Sequence, residues 1–389
     1  MHQQNGDGHP YRQFPKVVSS SKTSKFKPNM TQEIDVEIDA SFFVVIDTNL
    51  LVYELDLLHS PLGLALLSAV RFKIGYIVLP ESLEREVVKH SVSRLRTSFV
   101  KLKAQAENLT ALGCAISAPS IAEHELHRLV ERRIGSWGNV LLRTPTTGDQ
   151  IRRAHNRVLG DCAPNSPGSQ QYKDSLVWEA VVDLAQIAPV FFVSKDKAFY
   201  DPKDHARGLA LELQAEAARF PNLITLHANL ESVLNSLNVA RVDIDRPTLL
   251  DHLDQELNVL IRSEIPDELA TLGNRTDHAT IVAFNTDDPK VIAVQFQLMF
   301  EAVGSDPDEG RVRGHLHTFG ACLATLPSFD LSRIQIHHVD FSSPAIGGGR
   351  IWRRLCDVVG DDGPLPVYNP PAVIVKKKIP GGNGGREGR

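Results

Sequence analysis

Between residues 42 and 226, short apolar runs alternate with stretches of helical periodicity, and few folds satisfy such an alternation. The runs at 42–47, 75–79, 190–194 and 222–226 are rich in Val, Ile, Leu and Phe and bounded by polar residues, which marks them as buried strands. Helical patterning fills 50–72, 81–112, 119–142, 172–187 and 204–218. Strands separated by helices line up in parallel, with the helices wrapped over the sheet. From about Arg241 the texture changes. Ile292, Val294, Phe296 and Leu298 alternate with Ala293, Gln295 and Gln297, the two-residue period of a strand with one buried face. Residues 280–284 and 333–341 are strand-like too. The expected fold is α/β, a parallel sheet flanked by helices, followed by a smaller β-rich α+β domain.

The boundaries expected from this texture are a flexible segment at 1–38, a first domain at 39–240, a β-rich domain at 241–375 with its hinge near 242–247, and a basic flexible tail at 376–389. With 389 residues, 42% of them hydrophobic and 23% charged, the chain can build real cores without staples. Cys114, Cys162, Cys322 and Cys356 form no Cys-x-x-Cys pair, and no signal segment or apolar run of about 18 residues is found. A soluble protein of the reducing cytoplasm is the expectation. A net charge of −5 argues against wholesale coating of nucleic acid, so local clusters matter more. Lys89, Arg94, Arg96, Lys101 and Lys103 fall in one helix. Arg128, Arg132, Arg133, Arg143, Arg152, Arg153 and Arg157 fall in the next helical stretch, as phosphate contacts or as a solvated face.

Four acids stand where strands end and helices begin: Asp47, Glu86, Asp174 and Asp196. In open parallel sheets ligands collect at the carboxyl ends of the strands, and Asp47 and Asp196 sit there. Carboxylates about 5 Å apart repel by roughly 3 kcal/mol per pair at an effective dielectric of about 20, so a cluster of four needs protons or cations. All-oxygen ligands suit Mg²⁺ or Mn²⁺, one or two ions. Among neighbouring glutamates, Glu81 follows Pro80 at a helix start and is accounted for by the macrodipole, and Glu84 points about 200° around the helix from Glu86. Glu179 is an outside candidate. Each acid alone could be a helix cap; their joint occurrence points to the metal site.

Val-Ile-Asp47-Thr48-Asn49 resembles the end of the first strand in the PIN-domain family of metal-dependent nucleases. The likeness covers roughly 41–230 and continues through Leu79-Pro80 with Glu86-Val87, Lys173-Asp174 and Val193-Ser194-Lys195-Asp196. The long helices between the second and third acids resemble a less characterised branch with an added carboxyl-terminal domain. The resemblance implies phosphodiester hydrolysis leaving a 5′-phosphate, nucleic acid as partner with RNA favoured over DNA, and Asp47, Glu86, Asp174 and Asp196 as ligands. Glu86 would be a direct ligand or an acceptor for a bound water. Thr48, Asn49, Lys173, Ser194 and Lys195 would orient ligands or bind phosphate. The rival reading is a catalytically silent PIN-like binding module; a homodimer or an inhibitory protein partner is open. An Asp-x-Asp phosphatase is disfavoured because Asn49 stands where the general acid is needed. His315, His317, His337 and His338 read as ordinary strand histidines rather than a zinc site, the glycine run at 347–349 as a turn, and 160–171 as a connector rather than a lid.

Overall fold

A computed structural model describes residues 40–355, apart from 115, 117–119, 202–207, 242, 265–268, 307–309 and 344–349. The amino-terminal segment, the basic tail, Cys356 and the glycine run at 347–349 lie outside the described residues.

The first sheet is built from β1 (Phe43–Ile46), β2 (Tyr76–Pro80), β3 (Leu141–Thr144), β4 (Val190–Val193) and β5 (Ile224–His227). All neighbours are parallel, in the order β3-β2-β1-β4-β5. The order reverses between β1 and β4, so a crevice opens at their carboxyl ends, where Asp47 and Asp196 follow their strands. Its helices are α1 (Pro61–Phe72), α2 (Glu81–Ala111), α3 (Glu123–Gly135), α4 (Gly148–Leu159), α5 (Tyr172–Leu184), α6 (Leu211–Ala217) and α7 (Leu230–Ser236). All four residues of β1 are buried, as a central strand covered on both faces requires.

One reading of the sequence changes. The stretch 119–142 is not one helix: α3 stops at Gly135, Gly138 takes a positive φ of 70°, and Leu141–Thr144 becomes the edge strand β3. A run of four residues is too short for periodicity to separate strand from helix. The helical stretch 50–72 comprises a π-helical turn at Leu50–Glu54 and α1, with Asp56, Leu57 and Leu58 at positive φ between them.

After β6 (Ala240–Arg241) and α8 (Arg246–Glu264) comes an antiparallel meander of β7 (Leu269–Asn285), β8 (Val291–Asp306), β9 (Gly310–Thr325), β10 (Asp330–Ser342) and β11 (Arg350–Leu355). Helix α8 turns Leu249, Leu253, Leu257 and Ile261, four residues apart, into a shared core with Ile292, Val294, Phe296, Leu298 and Phe300 of β8. The sheet coils into a half-barrel. At Gly314 a Cβ would stand 2.1 Å from the Ser342 carbonyl oxygen and 2.9 Å from the Phe341 ring, so only glycine permits that closeness. On the opposite face Phe284, Ala293 and Leu323 are cross-strand neighbours and are also buried, which the expectation of one buried face missed. Helix α1 packs against β7, β8 and β9, Arg71 pairs with Asp287, and the Arg333 guanidinium donates to the His59 carbonyl at 2.9 Å. On β9 and β10, His317 Nε2 lies 3.3 Å from Ser342 Oγ, and the His338 ring stacks on Phe319 at 4.2 Å. Among the described residues no helix is long and apolar enough to cross a membrane.

Candidate functional site

Asp47 leaves β1 with both carboxylate oxygens engaged. Oδ1 accepts the Thr48 backbone N–H at 2.7 Å, and Oδ2 accepts the Ser194 hydroxyl at 2.8 Å. It precedes the helical stretch that opens at Thr48, its carbonyl accepting the Leu51 N–H at 3.0 Å, but of the backbone amides its carboxylate bonds only the adjacent Thr48 N–H rather than capping one further along. Glu86, on the second turn of α2, lies 3.4 Å from the Thr48 hydroxyl, 2.9 Å from the Lys173 ammonium and 3.6 Å from His90 Nε2. Asp174 sits in the first turn of α5. Asp196 follows β4, and its Oδ1 does cap the short 3-10 turn beyond it, accepting the Ala198 N–H at 2.8 Å.

The four acids act on one another. Burial pushes Asp47 up to about 6; its bonds from Ser194 and Thr48 oppose the rise, while the charges of Asp196 and Glu86 add to it. Burial pushes Asp174 up to about 7, with Asp196, Asp47 and Glu86 adding and Lys173 opposing. Tyr200, whose hydroxyl donates to the Ser194 carbonyl at 2.6 Å, is raised by burial and by the Asp47 charge. Among the described residues no three of these carboxylates stand in chelating arrangement, so a cation would have to draw them inward.

The orienting residues divide. Ser194 is fully buried, and its Oγ both donates to Asp47 and accepts the Asp196 N–H at 3.0 Å, so it links the first and fourth acids and cannot reach a phosphate. Thr48 is buried as well, whereas Asn49 is exposed. Lys195 does not serve Asp196: its ammonium clasps both Glu54 oxygens at 2.6 and 2.7 Å, bracing the π-helical turn. Sequence reasoning missed His90, Tyr200 and Glu54. The i,i+4 spacing from Glu86 could have found His90; nothing local points to the other two.

The basic stretch is corrected by its partners. Arg143 pairs with Glu84, Arg152 with Asp149, Arg153 with Glu179 and Asp183, and Arg157 with Glu179 and Glu216. These arginines and acids are structural pairs on β3, α2, α4, α5 and α6, and Glu179 belongs to them rather than to the acid cluster. Glu81, too, has structural duties, accepting from the Thr146 N–H at 3.0 Å and from Arg85 at 2.5 Å. The connector at 160–171 is tied down: buried Asn165 donates to Ser175 Oγ at 2.8 Å and accepts the Gln171 N–H at 2.6 Å, holding the start of α5 that carries Asp174. A cleft of about 720 Å³ lined by Ile121, Glu125, Arg128 and Arg132 lies on α3 and includes none of the four acids.

Searches of curated proteins and of solved structures give no match. A family model described as PIN domain matches residues 44–199, the interval from β1 to just past Asp196. The matched interval contains all four acids and β1 to β4 of the parallel sheet, while the β-rich half-barrel lies beyond it. PIN domains are typically nucleases and generally use divalent metals. Residues 44–199 of this chain are therefore a PIN domain, followed by an antiparallel β-rich region.

Proposed function

We propose that this protein is a divalent-metal-dependent nuclease that hydrolyses phosphodiester bonds, with RNA as its substrate and endonucleolytic cleavage as its mode. The observation that supports this reading is the gathering of Asp47, Glu86, Asp174 and Asp196 at the switch point of the sheet, with Ser194 bonded to both Asp47 and Asp196 and Thr48 bonded to Glu86. Burial, and to a lesser degree the neighbouring acids, raise the pKa of Asp47 and Asp174, a cost of ionisation that Mg²⁺ or Mn²⁺ relieves, and every donor is a carboxylate oxygen. The donor set fits such an ion.

Asp47, Asp174 and Asp196 would hold the metal, with Glu86 a direct ligand or an acceptor for a water proton. Bound there, the ion would lower the pKa of the attacking water and offset charge building on the scissile phosphate. Asp47 is pre-oriented by Thr48 and Ser194. Lys173, with a side chain 67% exposed, reaches Glu86 now and is placed to meet a phosphate oxygen when the acids close on a cation. Asn49, next to Thr48, is exposed.

Single-stranded RNA, single-stranded DNA and flap substrates incubated in Mn²⁺, with Asp174→Asn as control, test the reading. RNA cleavage by the wild type and none by the variant is expected; equal cleavage by both would discard the site. The silent-module alternative draws on the Lys173–Glu86 pair, which already neutralises one acid. Absence of Mn²⁺ binding by calorimetry would favour it. Ser194→Ala should lower Mn²⁺ affinity or turnover by about 10- to 100-fold, as loss of a bond behind a ligand does, and lower the melting temperature by a few degrees because the Asp196 N–H loses its buried acceptor. Unaltered kinetics would deny Ser194 its positioning role.

A further inference from the structure

Where most arginines of α4 and β3 are matched by carboxylates, one group is matched only in part. Arg133 in the last turn of α3, Arg333 of β10 and Arg94 of α2 all lie against the segment 52–59, with Asp56 the carboxylate beside Arg94 and Arg133. Arg94 Nη1 lies 3.7 Å from Asp56 Oδ1 and also donates to the Val52 carbonyl. Arg333 reaches the His59 carbonyl. Arg133 Nη2 is buried with no hydrogen-bond partner among the described residues. Burial pushes the Arg133 guanidinium below its ordinary value, Asp56 opposing and Arg333 adding to the fall.

The framework under this group is strained and braced. Asp56, Leu57 and Leu58 all have positive φ, and so does Arg333, where the β9–β10 register slips between Ser332 and Gln335. A non-glycine residue in that region costs roughly 1–2 kcal/mol. The bend persists because the Trp137 indole donates to the Leu57 carbonyl at 3.0 Å and Gly63 lies so close that a Cβ would stand 2.6 Å from Leu58 Cα. Arg94 has Asp56 as its partner, but among the described residues neither Arg133 nor Arg333 has a carboxylate in ion-pair distance, a cationic surplus that an external anion would satisfy.

We propose that Arg133, Arg333 and Arg94 form an anchor for a backbone phosphate of the nucleic acid, at the junction of the PIN domain and the β-rich sheet. This rests on the nuclease reading and extends it to substrate grip. From position 86 to position 94 along α2 is roughly 12 Å, so the anchor lies within reach of a short oligonucleotide seated at the acids. It gives the β-rich region, through Arg333, a direct part in binding.

The test uses the full chain carrying Asp47→Asn, so that binding is read without cleavage. A labelled single-stranded oligoribonucleotide is titrated across a range of salt, and tripolyphosphate is followed by thermal shift. Adding Arg133→Gln and Arg333→Gln should weaken RNA binding roughly three- to tenfold and flatten the salt slope by about 0.7 for each phosphate that is no longer neutralised. The same pair should remove the tripolyphosphate stabilisation. Arg133→Lys with Arg333→Lys should keep most of the slope, and it serves in place of the glutamine pair if that pair fails to fold: loss of the slope in the lysine pair would then count against the anchor. Unchanged affinity and slope in the glutamine pair would overturn the anchor while leaving the nuclease reading intact. Tripolyphosphate stabilisation lost in the variants, without RNA binding by the parent protein, would keep the anion site and sink the nuclease reading. No stabilisation by either probe overturns the anchor, and so does polyglutamate competing as well as RNA, which would point to an acidic protein partner.

Discussion

Asparagine in place of Asp47 is expected to cut metal-dependent cleavage by at least about a hundredfold, since losing even a group behind a metal ligand costs 10- to 100-fold. The same change should stabilise the metal-free protein. The carboxyl of Asp47 titrates at about 6 in the fold against 3.8 in its ordinary setting, because burial and neighbouring acids disfavour its charge. Between those values the folded state holds more protons than the unfolded chain, so stability falls as pH rises through that window. Below it the group is protonated in both states and contributes nothing. The advantage of Asp47→Asn should therefore be absent near pH 3, grow up to about pH 6 and stay level above, reaching about 2 kcal/mol at most once residual solvent exposure is discounted. The asparagine amide can keep one oxygen toward the Thr48 N–H and donate to Ser194 Oγ, which preserves the local geometry. Melting curves from pH 3 to 8 in EDTA, beside a Mn²⁺ cleavage assay, read both effects. A variant that melts lower than wild type at pH 8, or that still cleaves at the wild-type rate, would remove Asp47 from the cluster.

Glu179→Ala should destabilise the PIN domain by about 3–5 kcal/mol, which is the cost of removing one partner from a buried ion pair. The Glu179 side chain is only 2% exposed and receives Arg153 Nε at 2.5 Å and Arg157 Nε. Arg157, itself 13% exposed, also bonds Glu216 and donates to the Ala163 carbonyl at 3.1 Å, and Glu216 accepts the Trp178 indole at 2.9 Å. Alanine would leave Arg157 buried with one carboxylate gone. The melting temperature should fall by roughly ten degrees. Glu179→Gln, which keeps the shape and some hydrogen bonding, should cost less and leave Mn²⁺ affinity at the wild-type value. If the glutamine variant instead loses metal binding while melting normally, Glu179 belongs among the ligands.

The parallel sheet, its order of acids and the later change to a β-rich region were legible in the sequence, because each rests on local signals. Strand-length apolar runs, helical periodicity and carboxylates at strand ends are properties of neighbours along the chain. Asp47 and Asp196 could be placed together at the carboxyl ends of their strands because parallel strands share a direction. What each side chain bonds to was another matter. Ser194 meets Asp47 across 147 positions and Lys195 meets Glu54 across 141, so neither partnership leaves a mark at short range. The edge strand β3 was hidden in a helical pattern because four residues carry too little period to be told apart. The arginines behave alike: composition marked a basic stretch, yet only packing showed Arg143, Arg153 and Arg157 neutralised by acids and Arg133 left beside Arg333. Local sequence determined which elements form and which chemistry their ends carry; the tertiary structure alone decided how the charges pair, because pairing energy depends on distance in space and on burial, not on separation along the chain.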